Sequence, residues 1–194
     1  MARNFRNGSL DRYRVIMVAP AKAGVPPIFG GDPGNIHDRV IQRMFVVLEG
    51  QKRPIYLDGT VLELLDEARS NYAQLRFNPG RIVQLSENAA VLATRTGSVR
   101  TTTLALALRA SGYTVQTHDG FLEVFGKDES PPIIGALSTL AKGKEVDLFA
   151  HSPNLLFEKF HSHLTEDLLQ KDALSARLDE GALAELSQSI LGED

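Results

Sequence analysis

A short run of alternating leucine and alanine, residues 104–108, constrains the fold of this chain more than any other feature of its sequence. It lies within TRTGSVRTTTLALALRASGYTV, residues 94–115, which we interpret as a strand end, a turn at Gly97, a helix and a new strand. A helix through residues 104–108 is apolar nearly all round, and such a helix has to be buried. We therefore predict a helix that lies under a sheet, has Ser98 as its N-cap and exposes only its first turn.

The start of this helix is also the first candidate binding site. Arg95 and Arg100 stand on either side of the turn at Gly97. The unpaired N–H groups of a first helical turn and the positive end of the helix dipole attract anions such as a nucleic-acid phosphate. Hydroxyl groups of three residues could add hydrogen bonds: Ser98, Thr101 and Thr102. Consecutive threonines equally suit a helix start that binds nothing, because their hydroxyls satisfy backbone donors. The residues alone leave both readings open.

Two further helices are predicted earlier in the chain. The first has Asn35 as its N-cap and runs to Gly50. Arg39 and Arg43, four residues apart, share one of its faces. Its apolar face is predicted to contain Ile36, Val40, Met44 and Val47. The second helix, capped by Asp58 or Thr60, is predicted to turn inward Val61, Leu64, Leu65, Ala68 and Tyr72.

Short strands and helices are predicted around the buried helix. Residues 13–20 are rich in β-forming residues, and a connecting loop follows them. Residues 81–86 and 89–96 are interpreted as two strands, and a hairpin follows with its turn at Asp119-Gly120.

The last third of the chain is predicted to be mainly helical. Residues 131–143 form a short helix with prolines at its start and Gly143 at its end, and residues 146–152 form a short strand or extended piece. From Asn154 onward the chain becomes helical and acidic. The order of elements predicts a mixed α/β (α+β) fold, with a small, largely antiparallel sheet covered by helices. We divide it into a mixed α/β domain, residues 1–150, and an acidic helical tail packing on it, residues 151–194.

Charge is distributed unevenly along the chain. The net charge is −3, but residues 1–109 hold fifteen basic and nine acidic side chains, whereas residues 110–194 hold six and fifteen. All but two of the fifteen basic residues are arginine, which binds phosphate in a bidentate manner. This bias favours a polyanionic partner. Attraction between two oppositely charged parts of one fold would explain it as well.

Several kinds of chemistry find no support in the sequence. The chain has no cysteine, so it has no disulfide, thiolate metal site or cysteine nucleophile. His161 and His163 would point to different sides of a helix and make a poor zinc half-site. There is no G-x-S-x-G motif, no Walker motif and no DEAD/DEAH box. We expect no catalytic residue, no metal and no cofactor. Without a long apolar run or a signal peptide, we also expect a soluble cytoplasmic protein with no membrane partner.

Four collinear stretches carry a family resemblance. They are YRVIMVAPAKAGVPPIFGGDPGNIHDRVIQRM, IYLDGTVLELLDEAR, TLALALRASG after Gly97-Ser98-Val99, and NLLFEKFHSHLTEDLLQKDALSARLD. In this order they resemble the C-terminal region of the large helicase-related (Lhr-like) superfamily 2 DEAD/DEAH-box helicases. This chain departs from the family pattern where it has ATRT in place of an aromatic residue before Gly-Thr-Arg, and Val99 in place of an arginine. Arg95 and Arg100 would supply those cations from neighbouring positions.

The resemblance implies a non-catalytic accessory domain that helps to enclose a single strand of DNA or RNA. In the family this region follows two RecA-like motor lobes, which hydrolyse ATP, and a winged helix. The motor lobes are therefore expected partners, in cis or in trans, and the chain is expected to be part of a larger protein. Arg39, Arg43, Arg95 and Arg100 would contact phosphates, and the hydroxyls of Ser98, Thr101 and Thr102 would add hydrogen bonds. The alternative is a protein-interaction module that docks a partner through the acidic tail and binds no nucleic acid.

Overall fold

The computed structural model describes residues 3–6, 17–20, 34–75, 77, 81–86, 88–127, 130, 132–151, 153–156 and 160–192. The chain divides into two compact units, Met1–Pro33 and Gly34–Asp194. In the first unit, strands β1 (Arg3–Arg6) and β2 (Met17–Pro20) pair antiparallel. Strand β2 confirms the second half of the predicted β-rich run, whereas the loop predicted after it lies outside the described residues through residue 33.

The second unit is built on a four-stranded antiparallel sheet. Its strands are β3 (Ile82–Ser86), β4 (Ala89–Ala93), β5 (Thr114–His118) and β6 (Phe121–Phe125). Their order in the sheet is β3-β4-β6-β5. Every neighbouring pair is antiparallel. The predicted mixed α/β fold with a small antiparallel sheet and C-terminal helices is confirmed.

The predicted hairpin between β5 and β6 is confirmed, and its turn requires glycine for two reasons. Gly120 has a φ of +81°, a conformation that residues with a Cβ rarely adopt. A Cβ at this position would also lie 2.7 Å from Ile41 Cγ2 and 2.9 Å from Phe45 Cε2. The turn therefore packs directly against the helix that carries Ile41 and Phe45.

Helix α3 (Ser98–Ala110) is the predicted buried helix, and its burial is confirmed. Its leucine and alanine side chains at residues 104–108 are at most 4% exposed. They pack against one face of the sheet, which contributes Leu92, Leu122 and Val124 to the same core. Helix α4 (Ile133–Ala141) packs beside them, with Pro132 as its N-cap and Gly143 at a φ of +75° just after its end, as predicted.

Helix α1 (Asp38–Glu49) differs from its prediction in its cap and in its buried face. The N-cap is His37, whose side chain accepts a hydrogen bond from Arg39 N, so the assignment of Asn35 as N-cap was wrong. The buried side chains are Ile41 and Phe45, whereas Val40 is 60% exposed. The buried face of α1 differs from the predicted one because Ile41 and Phe45 contact the hairpin turn. Helical periodicity cannot predict such a long-range contact.

Helix α2 (Gly59–Gln74) begins as predicted, since the side chain of Asp58 accepts a hydrogen bond from Val61 N. Only part of its predicted apolar face packs against the rest of the protein. Tyr72 packs edge-on against Phe45, but Val61 and Leu64 are 41% and 59% exposed, and no described residue of this helix is buried. The first two turns of α2 therefore present apolar side chains to solvent.

The C-terminal segment completes the core. Of the strand or extended piece predicted at residues 146–152, residues 148–151 instead form a turn, in which Ala150 N–H donates to Asp147 O, and residue 152 lies outside the described residues. Helices α5 (Glu166–Ala176) and α6 (Leu183–Leu191) follow, each preceded by a short 3₁₀ turn, His161–His163 and Glu180–Ala182. Helix α6 packs on α4 and α3. Ile190 and Leu186 are buried in the same core as the leucines of α3.

Candidate nucleic-acid interface

Helix α3 begins where the chain before α1 crosses it. Gly97 is the N-cap of α3, and a Cβ there would overlap the carbonyl oxygen of Ile36 and lie 2.8 Å from Asp38 N. The φ of Gly97 is −70°, an ordinary value, so glycine is required here by close packing and not by backbone conformation. The start of α1 is therefore held against the start of α3.

The first N–H groups of α3 are satisfied by this crossing segment. Gly97 N–H donates to Asp38 Oδ1 at 2.7 Å, and Ser98 N–H donates to Ile36 O at 2.9 Å. Ser98 Oγ in turn accepts a hydrogen bond from Ile36 N at 2.9 Å. Ser98 is thus the first residue of the helix and not its N-cap, which corrects the predicted cap. A carboxylate of the chain itself occupies the place that was predicted for a bound anion.

Arg100 joins three parts of the second unit. Its Nε lies 3.2 Å from Asp179 Oδ2 and 3.8 Å from Asp38 Oδ2. Asp179 itself is positioned by α3, because its backbone N–H donates to Thr103 Oγ1 at 2.9 Å. The side chain of Arg100 is about one-third exposed, so it retains access to solvent beside its two acidic partners.

Arg95 is held in a more enclosed polar and aromatic cluster. It is a non-glycine residue with a positive φ, 55°. Its guanidinium group pairs with Glu49, donates to Tyr72 OH at 3.0 Å and lies 4.9 Å from the centre of the Phe45 ring. Tyr72 OH also donates to Glu49 Oε1 at 2.8 Å. Burial, followed by this hydrogen bond, raises the pKa of Tyr72 above its ordinary value of 10.0.

Thr101 and Thr102, adjacent in sequence, have different surroundings. Thr101 is 3% exposed, and its hydroxyl lies 2.9 Å from Thr94 Oγ1 and donates to Thr96 O at 3.2 Å. Thr94 and Thr96 are buried too. Thr101 therefore stabilises the turn into α3 from within the protein. Thr102 is half-buried and lines a cavity between α3 and β5.

Arg39 and Arg43 have no such internal role. Both are exposed on α1, one turn apart. Neither forms an ion pair with any residue of the described part of the chain. Since Asp38 contacts Gly97 and Arg100, the first turn of α1 and the start of α3 lie side by side. The structure therefore brings together the starts of α1 and α3, which carry the predicted site residues, with Arg95 and Arg100 paired and Arg39 and Arg43 exposed on α1.

Sequence reasoning missed the acidic and aromatic partners in this region: Asp38, Phe45, Glu49, Tyr72 and Asp179. They lie far along the chain from the arginines they contact, by 46 residues for Glu49 and 79 for Asp179. The spacing of residues that are close in sequence does not indicate such a long-range contact. The opposite charge of the two parts of the chain was a signal for Asp179 alone, because Asp38 and Glu49 lie in the same basic part as the arginines.

Within the described ranges, no group of three or more histidine, aspartate and glutamate side chains is arranged to hold a metal ion. His161 is buried, and its Nδ1 lies 3.1 Å from Leu155 O. Every helix in the described residues is too short or too polar to cross a bilayer.

Comparisons with known proteins identified no relative of this chain. No protein-family model, no curated protein and no solved structure matches it.

Proposed function

We propose that this chain is a non-catalytic, nucleic-acid-binding accessory domain of an Lhr-like ATP-dependent helicase, acting on a single strand of DNA or RNA. The helicase motor lobes, in cis or in trans, would hydrolyse ATP. The observation that carries the proposal is the pair Arg39 and Arg43, which are exposed on one face of α1 and have no ion-pair partner among the described residues.

The spacing of these two arginines suits a phosphate backbone. Residues four apart on a helix are neighbours on its surface, so both guanidinium groups serve one contact surface. Arginine binds phosphate oxygens in a bidentate manner, and contacts to phosphate carry no sequence information. The proposed binding is therefore sequence-independent and sensitive to salt.

Arg95 and Arg100 are less available for contact with a phosphate than Arg39 and Arg43. Each is already paired with a carboxylate, Arg95 with Glu49 and Arg100 with Asp179. Contact with a phosphate would require exchange of one of these carboxylates. Replacing Arg95 and Arg100 by alanine would also remove contacts that hold α1 and the C-terminal turn in place. Variants at Arg39 and Arg43 therefore give the cleaner test.

The test is fluorescence anisotropy of labelled single-stranded DNA and RNA across a salt series. For the Arg39→Ala/Arg43→Ala variant, we expect weaker binding and a slope of log affinity against log salt that is smaller by about 1.4, since each phosphate contact on a single strand contributes about 0.7. The matched control is Lys142→Ala/Lys144→Ala, which removes the same charge from two other exposed positions. Absence of binding by the unmodified chain at low salt contradicts the proposal.

A second candidate function is protein interaction through the C-terminal segment. Three exposed apolar side chains lie in this segment, which has an acidic sequence: Leu156 (53% exposed), Phe160 (68%) and Leu168 (49%). Deleting residues 154–194 is not a clean test, because Leu186 and Ile190 belong to the core. Phe160→Ser/Leu168→Ser leaves the core in place. A protein retained by the unmodified chain and lost with this variant, in a chain that binds no nucleic acid, would favour the second function.

A further inference from the structure

A cavity of about 320 Å³ lies between α3, β5 and the segment that follows α4. We propose that it binds one nucleobase of the strand whose phosphates contact Arg39 and Arg43. This inference rests on the proposed function and adds to it a second type of contact, with a base and not with the backbone.

The floor of the cavity is apolar. Leu106 of α3 and Leu148 and Leu155 of the later segment line it, and each is at most 5% exposed. Small-ligand sites are concave and mostly apolar, with volumes from about 300 Å³ upward, so this cavity is at the small end of the range. A buried apolar floor suits the flat face of a heteroaromatic ring, which gains by leaving water.

Polar groups without protein partners surround this floor. The hydroxyls of Thr102 and Thr117 and the imidazole of His151 line the cavity, and in the described part of the chain none of them has a hydrogen-bond or ion-pair partner. By contrast, the hydroxyls of Thr103 and Ser111, also at α3, donate to the carbonyl oxygens of Val99 and Ala107. The groups at the rim of the cavity are therefore available to the polar edge of a base.

Asn154 adds a directed donor to this rim. Its Oδ1 accepts a hydrogen bond from Leu156 N at 3.0 Å, which fixes the orientation of the amide. The amide NH₂ group keeps its two donors. Hydroxyls, an imidazole and an amide together offer donors and acceptors, which is the combination that the edges of nucleobases require.

A second cavity extends from this one towards α1. This smaller cavity, of about 100 Å³, shares Thr102 and Thr117 with the first and extends to Ser98 and Ile41. Ile41 is a buried residue of α1, on the opposite face of the helix from the exposed Arg39 and Arg43. Ser98 and Thr102 are separated by about 6 Å along the axis of α3. The two cavities together extend from the leucine floor to the buried side of α1. A strand of several nucleotides bound at Arg39 and Arg43 would pass around the first turns of α1 to place one base in the larger cavity.

The inference is tested by comparing two labelled single strands with identical phosphates, an oligothymidylate and an abasic chain of the same length. In fluorescence anisotropy at low salt, we expect the full-length protein to bind the oligothymidylate about tenfold more tightly, which is within the range for one bound base. Thr102→Val and Thr117→Val each remove one hydroxyl and should weaken oligothymidylate binding by about threefold to tenfold. Neither should change binding of the abasic chain.

Thr114→Val is the matched control. Thr114 is on the same strand as Thr117 but on the opposite face of the sheet, and it does not line the cavity. We expect it to leave both affinities unchanged. Equal affinity of the unmodified protein for the two strands overturns the base site and leaves the proposed function standing. A base preference that survives in both Thr102→Val and Thr117→Val also overturns this site. Absence of binding by both strands overturns the proposed function and this inference together.

Discussion

Ile36 and Ser98, 62 residues apart, exchange two hydrogen bonds: Ser98 N–H donates to Ile36 O, and Ile36 N–H donates to Ser98 Oγ, both at 2.9 Å. This pair and the contact between Asp38 and Gly97 join the starts of α1 and α3. The buried helix of the core and the helix that carries the exposed arginines are therefore joined at their starts.

Gly97 is where the starts of α1 and α3 pack most closely. A Cβ there would overlap Ile36 O, so we expect Gly97→Ala to lower the free energy of unfolding by roughly 1–3 kcal/mol, as for overpacking. Gly135→Ala, within α4, meets nothing within 4 Å and should raise it by about 0.5–1 kcal/mol. Urea unfolding of the two variants measures both changes. Equal changes in the free energy of unfolding of the two variants would show that Gly97 and Ile36 are packed less closely than described.

The pair of Arg95 and Glu49 is expected to stabilise the fold. Glu49→Gln removes the charge that faces a guanidinium group with only 28% of its side chain exposed. We expect a loss of about 1–2 kcal/mol in the free energy of unfolding. Asp66→Asn is the comparison, because it breaks the exposed pair with Arg53 and should cost less than about 1 kcal/mol. A cost for Glu49→Gln no greater than that of Asp66→Asn contradicts the internal role of Arg95.

Two neighbouring threonines of α3 should respond differently to the same substitution. Thr101→Val leaves the buried hydroxyl of Thr94 without its partner, so we expect a loss of about 1–3 kcal/mol. Thr102→Val removes a hydroxyl that has no partner among the described residues, and stability should change by less than about 0.5 kcal/mol. Thermal unfolding followed by circular dichroism compares them, and a reversed order would refute the assignment.

Alkaline pH should destabilise the second unit through two tyrosines, the half-buried Tyr72 and the buried Tyr113. Burial raises the pKa of Tyr72 and of Tyr113 above 10.0 in the folded protein. Between pH 10 and these folded-state pKa values, the native state holds more protons than the unfolded state, so stability falls as pH rises. This contribution is complete below pH 10 and is lost as pH passes the folded-state pKa values.

Tyr72→Phe/Tyr113→Phe provides the control for the alkaline experiment. Lysines also titrate in this range, but they are present in both proteins and cancel in the comparison. Denaturant unfolding at several pH values around and above 10 should show a steeper fall for the unmodified protein than for the double variant. Parallel curves would exclude the tyrosines as the cause.

The sequence by itself determined most of the helices and strands and the burial of α3. The leucine–alanine run of residues 104–108 predicted a core helix, and the Asp119-Gly120 turn predicted the hairpin, because both signals depend on residues close together in the chain. The cap of α2 by Asp58 was readable for the same reason. Family membership and nucleic-acid binding remain predictions.

Only the tertiary structure decided which face of α1 is buried and what the arginines contact. Ile41 and Phe45 turn inward because the glycine of a distant hairpin makes room for them. Arg95 and Arg100 are paired because folding brings Glu49, Asp38 and Asp179 to the start of α3. A sequence does not contain the distances between its charged groups, and electrostatic energy depends on distance and burial. The same four arginines therefore looked alike in sequence, whereas the fold separates two that stabilise it from two that remain available to a partner.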